Sequence, residues 1–297
     1  MNKKILITGI NGFIGSNCKE FYEANGFEVY GIDINGTPIK NIIIGDVNIK
    51  NIKVFNQEFD TIIHLAGTGT VSMAQNNSER EKEKSVGSCK EILEYINKYN
   101  SKACLIFSSS AAVYGNSFKE HISEHDKTNP ISVYGQHKLE AEKLCKEYAE
   151  KYNLNIKIAR IFSVYGNGLK KQLLWDFSSR LNKAQDEILC FGNGNEKRDF
   201  IHITDLINLF ELIRKEPFGF DIYNCASGVE TTVKEIISHI ISFNKKNINL
   251  QFDNLKREGN PEILIANIEK VKKIGFVPKK TLEEGIKDYV KWFNSIK

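Results

Sequence analysis

The segment Ile5-Leu-Ile-Thr-Gly-Ile-Asn-Gly-Phe-Ile-Gly15 constrains the fold more than any other stretch of the chain. An apolar run leads into glycines at 9, 12 and 15, and an amphipathic stretch follows. Gly9 permits a tight turn off a strand, Gly12 lets a pyrophosphate approach the main chain, and Gly15 lets the next helix pack on the sheet. Free N–H groups at the start of such a helix stabilise phosphate charge. Asp33 lies 18 residues past Gly15, at the end of the next β-rich run. A carboxylate there accepts bonds from ribose hydroxyls. It also repels a 2′-phosphate, and no Arg follows it immediately, so NAD is expected over NADP. Asp46, after the third run, is placed to reach the adenine amino group.

The rest of the first half repeats this plan. Runs rich in Ile, Leu and Val at Lys4–Thr8, Glu28–Ile32, Ile42–Ile44, Thr61–Leu65, Ala103–Phe107 and Ile156–Ile161 show little polar alternation, as strands covered on both faces do. Helical stretches at Phe13–Asn25, Glu79–Tyr99 and Val133–Tyr152 separate them. The expectation is an α/β, Rossmann-like, doubly wound parallel sheet over residues 1–165. Shorter elements and Gly-rich turns follow, with helices expected at 169–184, 204–214, 233–243 and 282–295. They form a smaller α/β substrate lobe over 166–297, partly interleaved with the first.

Composition excludes several classes. At 297 residues, 41% hydrophobic and 26% charged, the chain can bury an ordinary core. The net charge of +4 is too mild to argue for nucleic acid. The cysteines are scattered at 18, 89, 104, 145, 190 and 225, without metal-site spacing. No signal peptide fits MNKKILITG, and no apolar run reaches the ~20 residues of a bilayer span. The expectation is a soluble cytoplasmic protein without metal or membrane partner.

Two further segments carry chemistry. Tyr134 and Lys138, at i and i+4, share one helix face. A phenol is a poor base at neutral pH, and a lysine ammonium with an oxidised nicotinamide would favour the phenolate. Lowering its pKa by roughly three units needs about 4 kcal/mol of differential interaction. Ser108-Ser-Ser-Ala-Ala-Val-Tyr-Gly115 follows a strand, and ligands of open α/β sheets bind beyond the carboxyl ends of strands. Ser110 could hydrogen-bond a substrate hydroxyl while Tyr134 takes its proton.

With these segments, HLAG (64–67), RIFSVYGNG (160–168), GNGNEKRDFIHITDL (192–206), YNCASG (223–228) and KIGFVPKKTLEEGI (273–286), the chain resembles the extended short-chain dehydrogenase/reductase superfamily. Within it, the resemblance is to the NAD-dependent nucleotide-sugar epimerase/dehydratase family, and to its UDP-glucose 4-epimerase-like members. It implies catalysis by Ser110, Tyr134 and Lys138, and cofactor contacts that add Phe13, Ile14, Val47, Leu65, Ala66 and Gly67. It implies that Ser110, Ser163, Arg198 and Arg257 meet a nucleotide-diphosphate sugar. Ala111 and Ala112 stand where members that eliminate water carry an Asp-Glu pair. The implied reaction is therefore C4 epimerisation through a 4-keto sugar, serving surface-polysaccharide assembly. The alternatives are a 4-keto-6-deoxysugar reductase and, further off, a 4,6-dehydratase or a non-catalytic NAD-binding sensor. Ser163 replaces an Asn of the family pattern, and Ser85 stands near where many relatives have another. The helices at 79–99 and 133–152 resemble the pair through which relatives form homodimers.

Overall fold

A computed structural model describes residues 3–67, 78–117, 119–255 and 261–296, with only the main chain at 78 and 80. The first half runs β1 (Lys4–Thr8), α1 (Phe13–Ala24), β2 (Glu28–Asp33), β3 (Ile42–Ile44), α2 (Ile49–Val54) and β4 (Thr61–His64). It continues through α3 (Ser78–Lys82), α4 (Ser88–Tyr99), β5 (Cys104–Ser110), α5 (Val133–Tyr152) and β6 (Asn155–Ile161). The second half holds β7 (Ser163–Tyr165), α6 (Gln172–Lys183), β8 (Glu187–Cys190), β9 (Lys197–His202), α7 (Ile203–Arg214) and β10 (Phe220–Cys225). It ends with β11 (Glu230–Thr232), α8 (Val233–Asn244), β12 (Asn249–Phe252), β13 (Ile263–Leu264), α9 (Glu269–Lys273) and α10 (Leu282–Ser295).

Seven strands form one parallel sheet in the order β10-β6-β5-β4-β1-β2-β3. The doubly wound expectation holds. Its strands are rich in apolar residues because both faces are covered: α1 and α7 pack one side through Cys18, Tyr22, Leu206 and Phe210. The other side is covered by α2, α4 and α5 through Ile52, Ile92, Ile96 and Ala149. Burying each such Ile or Leu stabilises the fold by about 1.5–3 kcal/mol. All six cysteines are buried free thiols. The strand order reverses between β1 and β4, so a crevice opens beyond their carboxyl ends.

Several boundaries differ from the sequence reading. The strand expected at Ala103–Phe107 runs on to Ser110, because Ser108, Ser109 and Ser110 continue the ladder opposite Ala159, Arg160 and Ile161. The helix expected over 79–99 contains a π-helical turn at Glu83–Gly87, which widens the backbone where it lines the crevice. The helix expected from 169 starts at Gln172, whose φ of 65° is left-handed. Strand β10, from the second half, completes the main sheet. The second half also builds a small sheet, β11-β9-β13 with β7 on β9, and a β8–β12 pair over its own core of Phe177, Ile236 and Tyr289.

No described helix is long and apolar enough to cross a membrane. At Gly15 a Cβ would overlap the Gly9 carbonyl oxygen and crowd Ile10, all main chain that cannot swing aside. Gly15→Ala is therefore expected to destabilise the protein by about 1–3 kcal/mol, as overpacking does. A urea midpoint equal to that of the unaltered chain would show that helix α1 does not need this close approach.

Candidate active site

The crevice widens into a cleft of about 3020 Å³ between the main sheet and the second half. Small-molecule pockets span about 300–1,000 Å³, so the space suits more than one ligand. Every described residue of the predicted set lines it. Gly9, Gly12, Phe13, Ile14 and Gly15 form one wall, Asp33, Asp46 and Val47 its far end, and Leu65, Ala66 and Gly67 the wall beside them. Ser110, Tyr134 and Lys138 meet near the middle, with Ser163 and Arg198 toward the second half. Arg257 lies outside the described residues.

The dinucleotide end is built for an anion followed by a ribose. Helix α1 starts at Phe13 with no side-chain cap on Gly12 and no acid in its first turn, leaving its positive end to the cleft. Asp33 ends β2 and is fixed by main-chain N–H groups: Asn11 donates to Oδ2 and Asn35 to Oδ1, both at 2.9 Å. Asn11, which sequence reasoning missed, thus links the glycine turn to this carboxylate. The cradle fits NAD, whose 2′-hydroxyl a carboxylate can accept and whose phosphorylated form it would repel.

At the middle, Ser110 closes β5 and caps the short 3₁₀ turn Ala111–Val113, its Oγ accepting the Ala112 N–H at 3.2 Å. That leaves the Ser110 hydroxyl hydrogen for another acceptor. Tyr134 stands in the first turn of α5, whose N-terminus is capped by Ser132 Oγ on the Gly135 N–H at 3.1 Å. Gly135 is required for contact: a Cβ would lie 2.6 Å from the Ala112 carbonyl oxygen. Lys138 is buried and donates to the Ser108 carbonyl at 2.8 Å, its Nζ 5.2 Å from the Phe107 ring centroid and 6.0 Å from that of Tyr134. Burial pulls its ammonium down to about 8, against Cys89, Glu142 and Cys145, which favour the charge.

Burial pushes the Tyr134 phenol up, and only its hydrogen bond with Ser110 pulls the other way. Lys138 donates to the Ser108 carbonyl, with its Nζ 6.0 Å from the Tyr134 ring centroid. An oxidised nicotinamide bound in the cleft would add a second positive charge favouring the phenolate.

Neighbouring groups are mainly structural. His64 is buried neutral, its pKa pulled down to about 3 by burial and by the Lys138 charge. It joins Thr8 Oγ1 at 2.7 Å to Ser88 Oγ at 3.2 Å. Asp199 binds the N–H groups of Ser227, Gly228 and Ala266, orienting its segment. Arg198 donates to the carbonyls of Lys197 and Glu262 at 2.9 and 3.3 Å. Ser85, in the π turn, donates to Glu81 at 2.6 Å. A Cβ placed on Gly67 would lie 3.3 Å from Ser85 Oγ and 3.9 Å from Lys138 Nζ, so these three positions converge. Lys84, Lys171 and Gln172 also line the cleft and were missed, because neither spacing nor composition distinguishes them from surface residues.

A phosphate-ready helix start and a Ser-Tyr-Lys cluster sharing one cleft on a doubly wound sheet define an extended short-chain dehydrogenase type of site. Comparison with known proteins narrows this. The family profile "NAD dependent epimerase/dehydratase family" matches residues 5–226. The chain is 31% identical to a putative UDP-glucose 4-epimerase of Methanocaldococcus jannaschii, over 98% of each chain. Its fold matches a point mutant of the UDP-glucuronic acid 4-epimerase of Bacillus cereus, in complex with a 4-fluoro substrate analogue and NAD, at 25% identity. That match has a TM-score of 0.88 and covers 99% of this chain and 100% of the other. A UDP-N-acetylglucosamine 4-epimerase of Methanobrevibacter ruminantium matches at 25% identity and TM-score 0.87, over 100% and 99%. The chain belongs to the NAD-dependent epimerase/dehydratase family.

If the Lys138 ammonium is needed, kcat should fall as pH rises through about 8, well below the 10.5 of an unburied lysine. Lys138→Arg, whose guanidinium keeps its proton, should remove that limb even where it lowers the rate. A limb that survives in Lys138→Arg assigns the titration to another group.

Proposed function

We propose that this protein is an NAD-dependent nucleotide-sugar 4-epimerase. The observation that carries the reading is the convergence of Ser110, Tyr134 and Lys138 beside the dinucleotide cradle, with only Ala111 and Ala112 following Ser110. Neither alanine can transfer a proton, so nothing at those positions drives elimination of water. The relatives and solved structures named above are UDP-sugar 4-epimerases, which favours a uridine diphosphate sugar.

The cradle of Gly9, Gly12 and Asp33 would hold NAD⁺, which would supply a reversible hydride acceptor for the sugar's C4. Ser110, hydrogen-bonded to Tyr134, orients the C4 hydroxyl. Tyr134 removes the hydroxyl proton and later gives it back. Lys138, anchored on the Ser108 carbonyl, keeps a positive charge beside the reacting centre. Arg198 binds the diphosphate, since a guanidinium can engage two phosphate oxygens at once. Arg257 and Ser163 are assigned to the same end. Residues 166–297 form most of the sugar-nucleotide side of the cleft, and residues 1–165 most of the cofactor side.

We assign the protein to the cytoplasm, where its six buried thiols stay reduced. It pairs as a homodimer through the helices at 79–99 and 133–152. Sedimentation should then give twice the 33.8 kDa of one chain; a single-chain mass at micromolar concentration would sink the pairing.

Purified protein incubated with a panel of nucleotide sugars should interconvert one pair of C4 epimers without added cofactor. Tyr134→Phe should lower kcat by about 10²–10⁴, the usual contribution of a general base. Stoichiometric consumption of NADH or NADPH with a 4-keto sugar, and no epimer exchange, would replace this reading by a reductase.

A further inference from the structure

Behind the reacting groups lies a buried polar network that the mechanism has not used. Ser109 of β5 and Arg160 of β6 are register partners in the parallel ladder, so their side chains leave the sheet on the same face. Both reach Glu142 of α5. Ser109 Oγ donates to Glu142 Oε1, while Arg160 Nε donates to Oε1 at 3.0 Å and Nη2 to Oε2 at 2.7 Å. The other edge of the guanidinium, Nη1, donates to Tyr114 Oη at 2.9 Å and to the Glu124 carbonyl at 3.1 Å. Tyr114 Oη in turn donates to Asn224 Oδ1 at 2.6 Å, and the Asn224 N–H donates to Glu124 Oε1 at 2.9 Å. Glu142 and Arg160 are each only 4% exposed.

The position of Glu142 gives this network its significance. It lies one turn past Lys138 and two past Tyr134, on the same face of α5. Lys138 is bonded to Ser108 and Glu142 to Ser109, two consecutive residues of β5, and the third residue is Ser110. We propose that Glu142 is a positioning residue for the epimerase reaction: through Ser109 and Arg160 it holds the catalytic helix against the carboxyl end of β5 and so sets the separation of Tyr134, Lys138 and Ser110. The inference rests on the reading of the function given above.

Stability alone does not account for the network. A buried ion pair roughly breaks even against apolar residues of the same volume, because desolvation offsets the attraction. What apolar packing lacks is direction. The two-pronged Arg-carboxylate contact fixes both angle and distance, and here it does so one turn from the reacting groups. Burial works against the Arg160 charge, and its bonds to Glu142 and Tyr114 more than offset this, so the guanidinium keeps its proton. The Lys138 ammonium is faced by Glu142 and Cys145 from its own helix, Cys89 from α4 and neutral His64 from β4. Of these groups, Glu142 is the carboxylate.

Three variants test the assignment, each with kcat, KM, cofactor affinity and the pH profile of kcat measured beside thermal unfolding. Ser109→Ala removes one hydrogen bond to the carboxylate and leaves the ion pair, so the protein should still fold. Its kcat should drop about 5–10-fold with KM and cofactor affinity unmoved, as small misplacement of reacting groups does. Glu142→Gln should lower kcat about 10²-fold and shift the alkaline limb to lower pH, since Arg160 then faces Lys138 uncompensated. The double variant Glu142→Gln/Arg160→Met removes one charge of each sign. It should recover thermal stability and move the limb back toward that of the unaltered enzyme, while kcat stays low. Wild-type kcat in Ser109→Ala, or recovery of kcat together with stability in the double variant, would overturn the positioning role. Absence of C4 epimerisation by the unaltered protein is a separate result, and counts against the function itself.

Discussion

A lysine ammonium buried at the joint between helix α5 and strand β5 needs a hydrogen-bond acceptor, and the Ser108 carbonyl receives it at 2.8 Å. That contact has consequences in both directions along the chain. Toward the cleft, Lys138 Nζ stands 6.0 Å from the Tyr134 ring centroid, while burial pushes that phenol up. Toward the core, it is continued one turn later by Glu142, Ser109 and Arg160. The site is thus a rigid edge of the sheet with a helix pinned along it, and a ligand's charge completes the electrostatics.

The arrangement follows from parallel pairing. Strands β1, β4 and β5 run the same way, so their carboxyl ends reach one side of the sheet together. The loops leaving them carry the glycine turn, the Leu65–Gly67 wall and Ser110. In open sheets of this kind, ligands bind beyond the carboxyl ends of the strands, where the connecting loops carry polar groups. The second half closes that edge with β7, β9 and α6, which is why one large cleft serves both cofactor and sugar nucleotide.

Legibility varied with the range of the interaction. The glycine turn, Asp33 and the Tyr134/Lys138 pair were readable because each depends on spacing within a turn or along one βαβ unit. Ser110 was readable from its place after an apolar run. The serine cluster was only half understood: Ser109 is a structural donor to Glu142, and the ladder continues through all three serines. The π turn at Glu83–Gly87, the left-handed Gln172 and the Asn11–Asp33 bond left no trace in composition or periodicity. Each is settled by packing against residues distant in the chain.

The sequence by itself determined the alternation of buried strands and amphipathic helices, the anion-ready start of α1 and the Tyr134/Lys138 spacing, since these are written in local residue order. Only the tertiary structure decided that β10 joins the main sheet, that Lys138 bonds a carbonyl instead of the phenol, and that Glu142 gathers Ser109 and Arg160 beneath the site. Those outcomes depend on which faces meet and how much water is excluded between them. Solvent exclusion is a property of the packed molecule, with no value for any single stretch of chain.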